Sequence, residues 1–242
     1  MLDIRRALEY LTEDEKAQTK IAVGALMAII PLANVAAAGY EVEVTRRVAR
    51  NEPRPLPEWN DIGGLFVTGA WLSLARLVYM LPIFLVMFAG MAAWFVFILQ
   101  AAQSSREASP ALGPAILITF FCTIAGVFVY GLLLGFVFPA ILAVYARRGT
   151  FAACFDFAAI SRFIRRDPGQ YALAWLAELG LGLAIGLISA VVGLVLGAIP
   201  CLGTIALYFV FGLAGFILLM FNGHLVGQLM QADAKAVIAK ES

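Results

Sequence analysis

The chain has 242 residues, 62% of them hydrophobic and 14% charged, with a formal net charge of +1. A soluble domain is about half apolar and about a quarter charged, so this balance excludes an ordinary water-soluble domain, and so small a net charge gives no reason to expect nucleic acid as a partner. A single histidine excludes a multi-histidine metal site, and Cys122, Cys154 and Cys201 lack metal or redox spacing, so no metal and no cofactor are expected.

The apolar residues are gathered into runs. Residues 1–20 form a polar N-terminus in which Leu2, Ile4, Leu8 and Leu11 share one face, the pattern of a short helix lying on a membrane surface. Glu13, Asp14 and Glu15 precede the first apolar run, unlike the basic start of a signal peptide. Thr12 and Glu15 have capping-box spacing, which predicts a helix start there and entry into the bilayer near Lys20.

Residues 21–39 are apolar but are interrupted by Ile30-Pro31-Leu32-Ala33-Asn34. Pro31 removes a donor and breaks a helix, and Asn34 suits the cap of a new one. Two readings compete: a kinked fifth span, or a re-entrant hairpin that enters and leaves on one side. Lysine and arginine accumulate in cytoplasmic loops. A span divides them 11 against 5, a hairpin 15 against 1 with Arg76 near an interface, which favours the hairpin with both termini cytoplasmic. The arms must then be covered by other helices, because unpaired backbone is not tolerated in lipid.

Residues 51–61 alternate prolines and read as a stiff, extended connector that seats Trp59 at the headgroups, with a ligand for a proline-binding domain as the alternative. Asp61 is placed to cap the next helix. The segment Ile62–Leu99 exceeds one crossing of about 20 residues. It is divided here into an interfacial helix Ile62–Arg76 and a span Leu77–Leu99, with Pro82 at the junction and Arg76 reaching the headgroups. Ser109-Pro110 is a start signal for the span Ala111–Ala146. Thr150–Arg166 mixes aromatics with Arg162, Arg165 and Arg166, an interfacial segment suited to anionic lipid or, alternatively, to an acidic partner protein. Asp167-Pro168 opens the span Tyr171–Ile199. Pro200-Cys201-Leu202-Gly203 is so short a turn that the last span, Thr204–Met230, must lie antiparallel beside it. Both Arg-Arg pairs, beginning at Arg46 and Arg147, precede an aromatic segment with an Asp and then an apolar helix, a faint internal echo.

Glycines four apart, Gly182 and Gly186, Gly193 and Gly197, Gly131 and Gly135, Gly223 and Gly227, are the spacing at which membrane helices approach closely. Glu178 and His224 lie inside apolar runs, where a charge is costly and marks a functional or structural role. On antiparallel neighbours they fall at similar depth, with Asn222 and Arg76 as further members. A proton or cation relay and a polar clasp that fixes helix register both fit. No nucleophile elbow, phosphate loop or metalloprotease pattern is present, so no catalytic residues and no enzyme are expected.

Gly39-Tyr40, Arg46-Arg47-Val48-Ala49-Arg50, Pro55-Leu56-Pro57-Glu58-Trp59-Asn60-Asp61 and Gly64-Leu65-Phe66 resemble a polytopic membrane family known as domain of unknown function 4013. Phe155-Asp156-Phe157, Arg165-Arg166-Asp167-Pro168-Gly169-Gln170-Tyr171 and Ala174-Trp175-Leu176 are similar to its second recurring stretch, and His224-Leu225-Val226-Gly227-Gln228 to its ending. The resemblance runs from about Lys20 to Gln231 and implies one membrane domain without an assigned activity.

The reading is a single all-α domain, residues 1–242: a polytopic bundle of four spans, an N-terminal hairpin and interfacial amphipathic helices, in the cell membrane. Its expected role is a non-enzymatic scaffold or accessory subunit, the alternative a transporter or channel for a small solute, ion or lipid. Membrane lipids, other membrane subunits and a second copy of the chain are its expected partners.

Overall fold

The computed structural model describes residues 2–103, 112–199 and 201–241. Arg106, the Ser109-Pro110 start signal and Pro200 lie outside them. Every regular element among the described residues is helical: α1 (Arg6–Glu13), α2 (Ala17–Ile29), α3 (Asn34–Ala49), α4 (Ile62–Gln103), α5 (Leu112–Arg148), a 3-10 turn (Phe151–Phe155), α6 (Phe157–Arg166), α7 (Pro168–Gly197) and α8 (Leu202–Glu241).

Four segments, Ile62–Gln100, Gly113–Arg148, Pro168–Gly197 and Leu202–Ala234, are long and apolar enough to cross a membrane. Their outward faces carry large apolar side chains, such as Leu187, Leu194 and Phe88, that water would not tolerate in such density. The chain is a multi-pass membrane protein.

Aspartates set three helix starts. The Asp61 carboxylate accepts from Gly64 N at 2.9 Å, Asp156 from Ala159 N at 2.8 Å, and Asp167 from Gln170 N at 3.1 Å with Pro168 in the first turn. Four other expectations need correction. No helix starts at Thr12; it is the last turn of α1, its hydroxyl donates back to Glu9 O, and the chain turns at Asp14 before α2. α1 does not turn Leu8 and Leu11 to one surface: Leu11 is buried with Ala7 and Tyr10, while Leu8 is exposed. Asn34 begins α3 without a side-chain cap; the break at 30–33 is closed by backbone bonds, Asn34 N to Ile30 O and Val35 N to Leu32 O, around Leu32 at φ +70°. Finally, 62–103 is one helix of 42 residues with Pro82 inside it, not two. At about 1.5 Å per residue it is about 63 Å long, more than the roughly 45 Å of a whole bilayer.

The chain packs as two compact units, Met1–Ala75 with Phe138–Ser242, and Arg76–Val137. In the first, α2 and α3 lie on α8, α7 lies beside α8, and α1 touches α2 and α8. Tyr40, Val44, Leu56, Phe216 and Met220 form its core. The second consists of the later part of α4 and the earlier part of α5. It is held by Gly90 against Thr123, by Tyr130 donating to Tyr79 O at 3.0 Å, and by Trp94 beside Phe120.

Candidate functional site

The polar interior of the larger unit is built where α3 crosses α8. Glu41 and Asn222 are 0% and 6% exposed, and Asn222 Nδ2 donates to Glu41 Oε1 at 2.8 Å. Thr45, one turn on from Glu41, donates back to its carbonyl at 2.8 Å. The two helices can approach so closely because Gly223 and Gly227 face α3. A Cβ at Gly223 would stand 3.0 Å from Glu41 O, and one at Gly227 would overlap Val48. Gly39 and Gly69 do the same for α3 and the start of α4, each facing the other helix's backbone.

Two residues on from Asn222 along α8, His224 is 3% exposed and stacks on Tyr10, ring centroids 4.3 Å apart. The amide of Gln228 is oriented by Asp3, whose N–H donates to Oε1 at 2.7 Å. Gln228 Nε2 therefore faces both Asp3 O, at 2.8 Å, and His224 Nδ1, at 3.0 Å, and the ring nitrogen accepts. Tyr10 donates to Met220 O at 2.9 Å, and its burial pushes the phenol pKa well above the ordinary value. Leu2 N donates to Gln170 Oε1 at 2.9 Å, so two glutamines, on α7 and α8, tie down the chain start. A polar cavity of about 280 Å³ opens between Asp3, Arg6, Tyr10, Glu52, His224 and Gln228.

The third polar centre is Lys20, whose side chain is 6% exposed. Its ammonium reaches Asp14 at 2.7 Å, Glu58 at 3.0 Å and Leu56 O at 3.0 Å. Its own carbonyl accepts from Trp59 Nε1 at 3.0 Å, and Trp59 stacks on Tyr40, which donates to Pro57 O at 2.8 Å. The proline-rich segment is thus folded onto the helices, and Trp59, read from sequence as a headgroup anchor, is packed against Tyr40 and Phe216. The hydrogen bond from Lys20 holds the Asp14 carboxyl below its ordinary pKa.

The family model described as protein of unknown function (DUF4013) matches residues 22–198. The chain belongs to this family. No curated protein and no solved structure matches it.

Some of the residues that carried the DUF4013 resemblance meet in these centres: Tyr40, Pro57, Trp59 and Gln170 within the matched stretch, and His224, Gly227 and Gln228 beyond it. Of the four residues read as an intramembrane cluster, Asn222 goes to Glu41 and His224 to Tyr10 and Gln228. Glu178 is half-buried on α7, and Arg76 is half-buried on α4, in the smaller unit. Glu41, Lys20 and Tyr10 were missed. Glu41 sits two residues past the apolar run 21–39, so a search for charges within spans passes it by. Among the glycines, Gly223 and Gly227 are packed and Gly193 touches Leu207 at 3.5 Å, but Gly182, Gly186 and Gly197 face open space. Among the described residues nothing stands within 4 Å of a Cβ at those three positions, although Gly193 lies on the same face of α7. Of the interfacial arginines, Arg162 and Arg165 are exposed, and Arg166, the last residue of α6, pairs with Asp233.

Proposed function

We propose that this chain is a non-enzymatic scaffold or accessory subunit of the cell membrane, with both termini in the cytoplasm and residues 21–39 forming a re-entrant hairpin. The observation that carries the reading is the closure of the polar interior. Among the described residues, no buried side-chain nitrogen or oxygen lacks a hydrogen-bond partner. Glu41 with Asn222, and His224 with Tyr10 and Gln228, have the character of clasps that set helix register. The hairpin reading is supported by α2, whose 13 residues reach only about 20 Å, less than the roughly 30 Å of hydrocarbon. It is supported also by the charge of α3, which holds Glu41, Glu43, Arg46 and Arg47.

The transporter reading rests on one observation, a carboxyl group at Glu41 with no solvent exposure inside a membrane protein's helix packing. Glu41→Gln and Glu178→Gln in proteoliposomes separate the two. The scaffold reading expects no proton or cation flux from wild type or either variant, with a lowered melting temperature for Glu41→Gln. A flux in wild type that either variant abolishes while remaining folded overturns it.

A further inference from the structure

The two Arg-Arg pairs of the sequence are brought together by the fold. α3 and α5 end side by side, and Arg46 Nε donates to Ala146 O at 2.9 Å, at the last turn of α5. Between the two helix ends lies a cleft of about 460 Å³, lined by Arg46 from α3, Arg50 just after it, Arg147 and Arg148 from α5, and a single carboxylate, Glu43.

These arginines are oriented but not consumed. Arg46 and Arg50 lean on Glu43 at 3.7 and 3.4 Å, Arg50 also on Glu52, Arg148 on Asp156 at 2.6 Å and Arg147 on Asp233 at 2.6 Å. Asp233 is shared with Arg166, and Glu43 and Glu52 with Arg47. The paired set therefore opposes six guanidiniums to four carboxylates and keeps two positive charges in excess. Each guanidinium lining the cleft uses at most two of its three nitrogens in these bonds, and the side chains stay 28% to 56% exposed. Capping the carbonyl end of α5 explains one nitrogen of Arg46. It does not explain why three more arginines converge there.

Position names the ligand. Arg147 and Arg148 close the apolar segment Gly113–Arg148, so the cleft lies at the polar end of a helix long and apolar enough to cross a membrane. Gly149, at φ +69°, turns the chain away immediately after Arg148 and leaves the mouth beside Arg46 without a side chain. Guanidiniums bind phosphate oxygens through paired, charge-assisted hydrogen bonds. We propose that this cleft binds a phosphate group, the headgroup phosphate of an anionic phospholipid from the surrounding leaflet. The site is independent of whether the chain is a scaffold or a transporter.

The test uses the full chain in detergent and a fluorescent short-chain phosphatidate. The expected result is saturable binding that excess phosphatidate or phosphatidylglycerol displaces and phosphatidylcholine does not. Arg148→Gln and Arg50→Gln are each expected to weaken it about tenfold, the loss of one charge-assisted hydrogen bond. Arg162→Gln, which removes the same charge from α6 outside the cleft, leaves it within about twofold. Arg50 is the most exposed of the four, so its variant reads binding without a folding defect. Equal losses in all three variants would show diffuse attraction and overturn the site. Displacement by millimolar inorganic phosphate but not by anionic lipid would assign the cleft to the free ion and overturn the lipid. Displacement by a poly-glutamate peptide alone would overturn both.

Discussion

Where α3 crosses α8, two helices meet through glycines, a buried carboxylate–amide pair and a threonine hydroxyl. In the Arg76–Val137 unit the two helix segments meet chiefly through apolar and aromatic side chains, with Gly90 against Thr123, Gly126 beside Val86 and the Tyr130 bond among them. An open groove of about 690 Å³ lies on the latter, lined by Met87, Phe88, Met91 and Phe95. In lipid, burying an apolar side chain against another gains little, since the lipid tail was already apolar. Register and close approach must then come from small residues and hydrogen bonds. The first region is specified in that way, and the second leaves its apolar surface for lipid or a partner to cover.

Substitutions can break this contrast. The largest effect belongs to the backbone crossings. Gly39→Leu and Gly227→Leu place side chains on Leu65 O and on Val48, and each is expected to cost more than about 3 kcal/mol, read as loss of a monodisperse, cooperatively melting species in detergent. Asn222→Leu leaves the Glu41 carboxylate without its amide donor and is expected to cost about 1–2 kcal/mol by the same melting assay. Tyr10→Phe keeps the stacking on His224 and loses the bond to Met220 O, for about 1 kcal/mol.

The Asp14–Lys20 pair sharpens the comparison through pH. The folded-state pKa of Asp14 is lowered from 3.8, so its contribution is present above that value and is lost as pH falls through the lower, folded one. Asp14→Asn is expected to flatten the melting temperature in that acid range; an unchanged acid limb would show that the pair does not act there. The smallest effect is expected at Gly182→Leu, on the open face of α7, within about 0.5 kcal/mol. A large loss there would mean that another helix covers it.

Much of this was legible in the residues, for physical reasons. Long apolar runs declare spans whatever their partners, and Asp61 and Asp167 declare helix starts through local bonds. What could not be read depends on distant partners. Ile62–Leu99 reads as two helices because it exceeds one crossing, yet the backbone continues as one helix through Arg76 and Pro82. Tyr10 and Lys20 look like residues of a solvated N-terminus until α8 and the proline-rich segment are placed against them. The glycine pairs have the same spacing throughout, and only where each helix meets a neighbour decides that Gly223 and Gly227 are covered while Gly182 and Gly186 are not.

The proposed function turns on the hairpin, under which the Lys20 centre, the α3–α8 crossing and the arginine cleft would share one side of the bilayer. Single cysteines at Lys16, Glu52 and Ala158, in a cysteine-free background in intact cells, test it with a membrane-impermeant thiol reagent. All three are expected to stay unlabelled until the cytoplasmic face is opened. Labelling at Lys16 from outside, with Glu52 still protected, would make residues 21–39 a crossing and contradict the account.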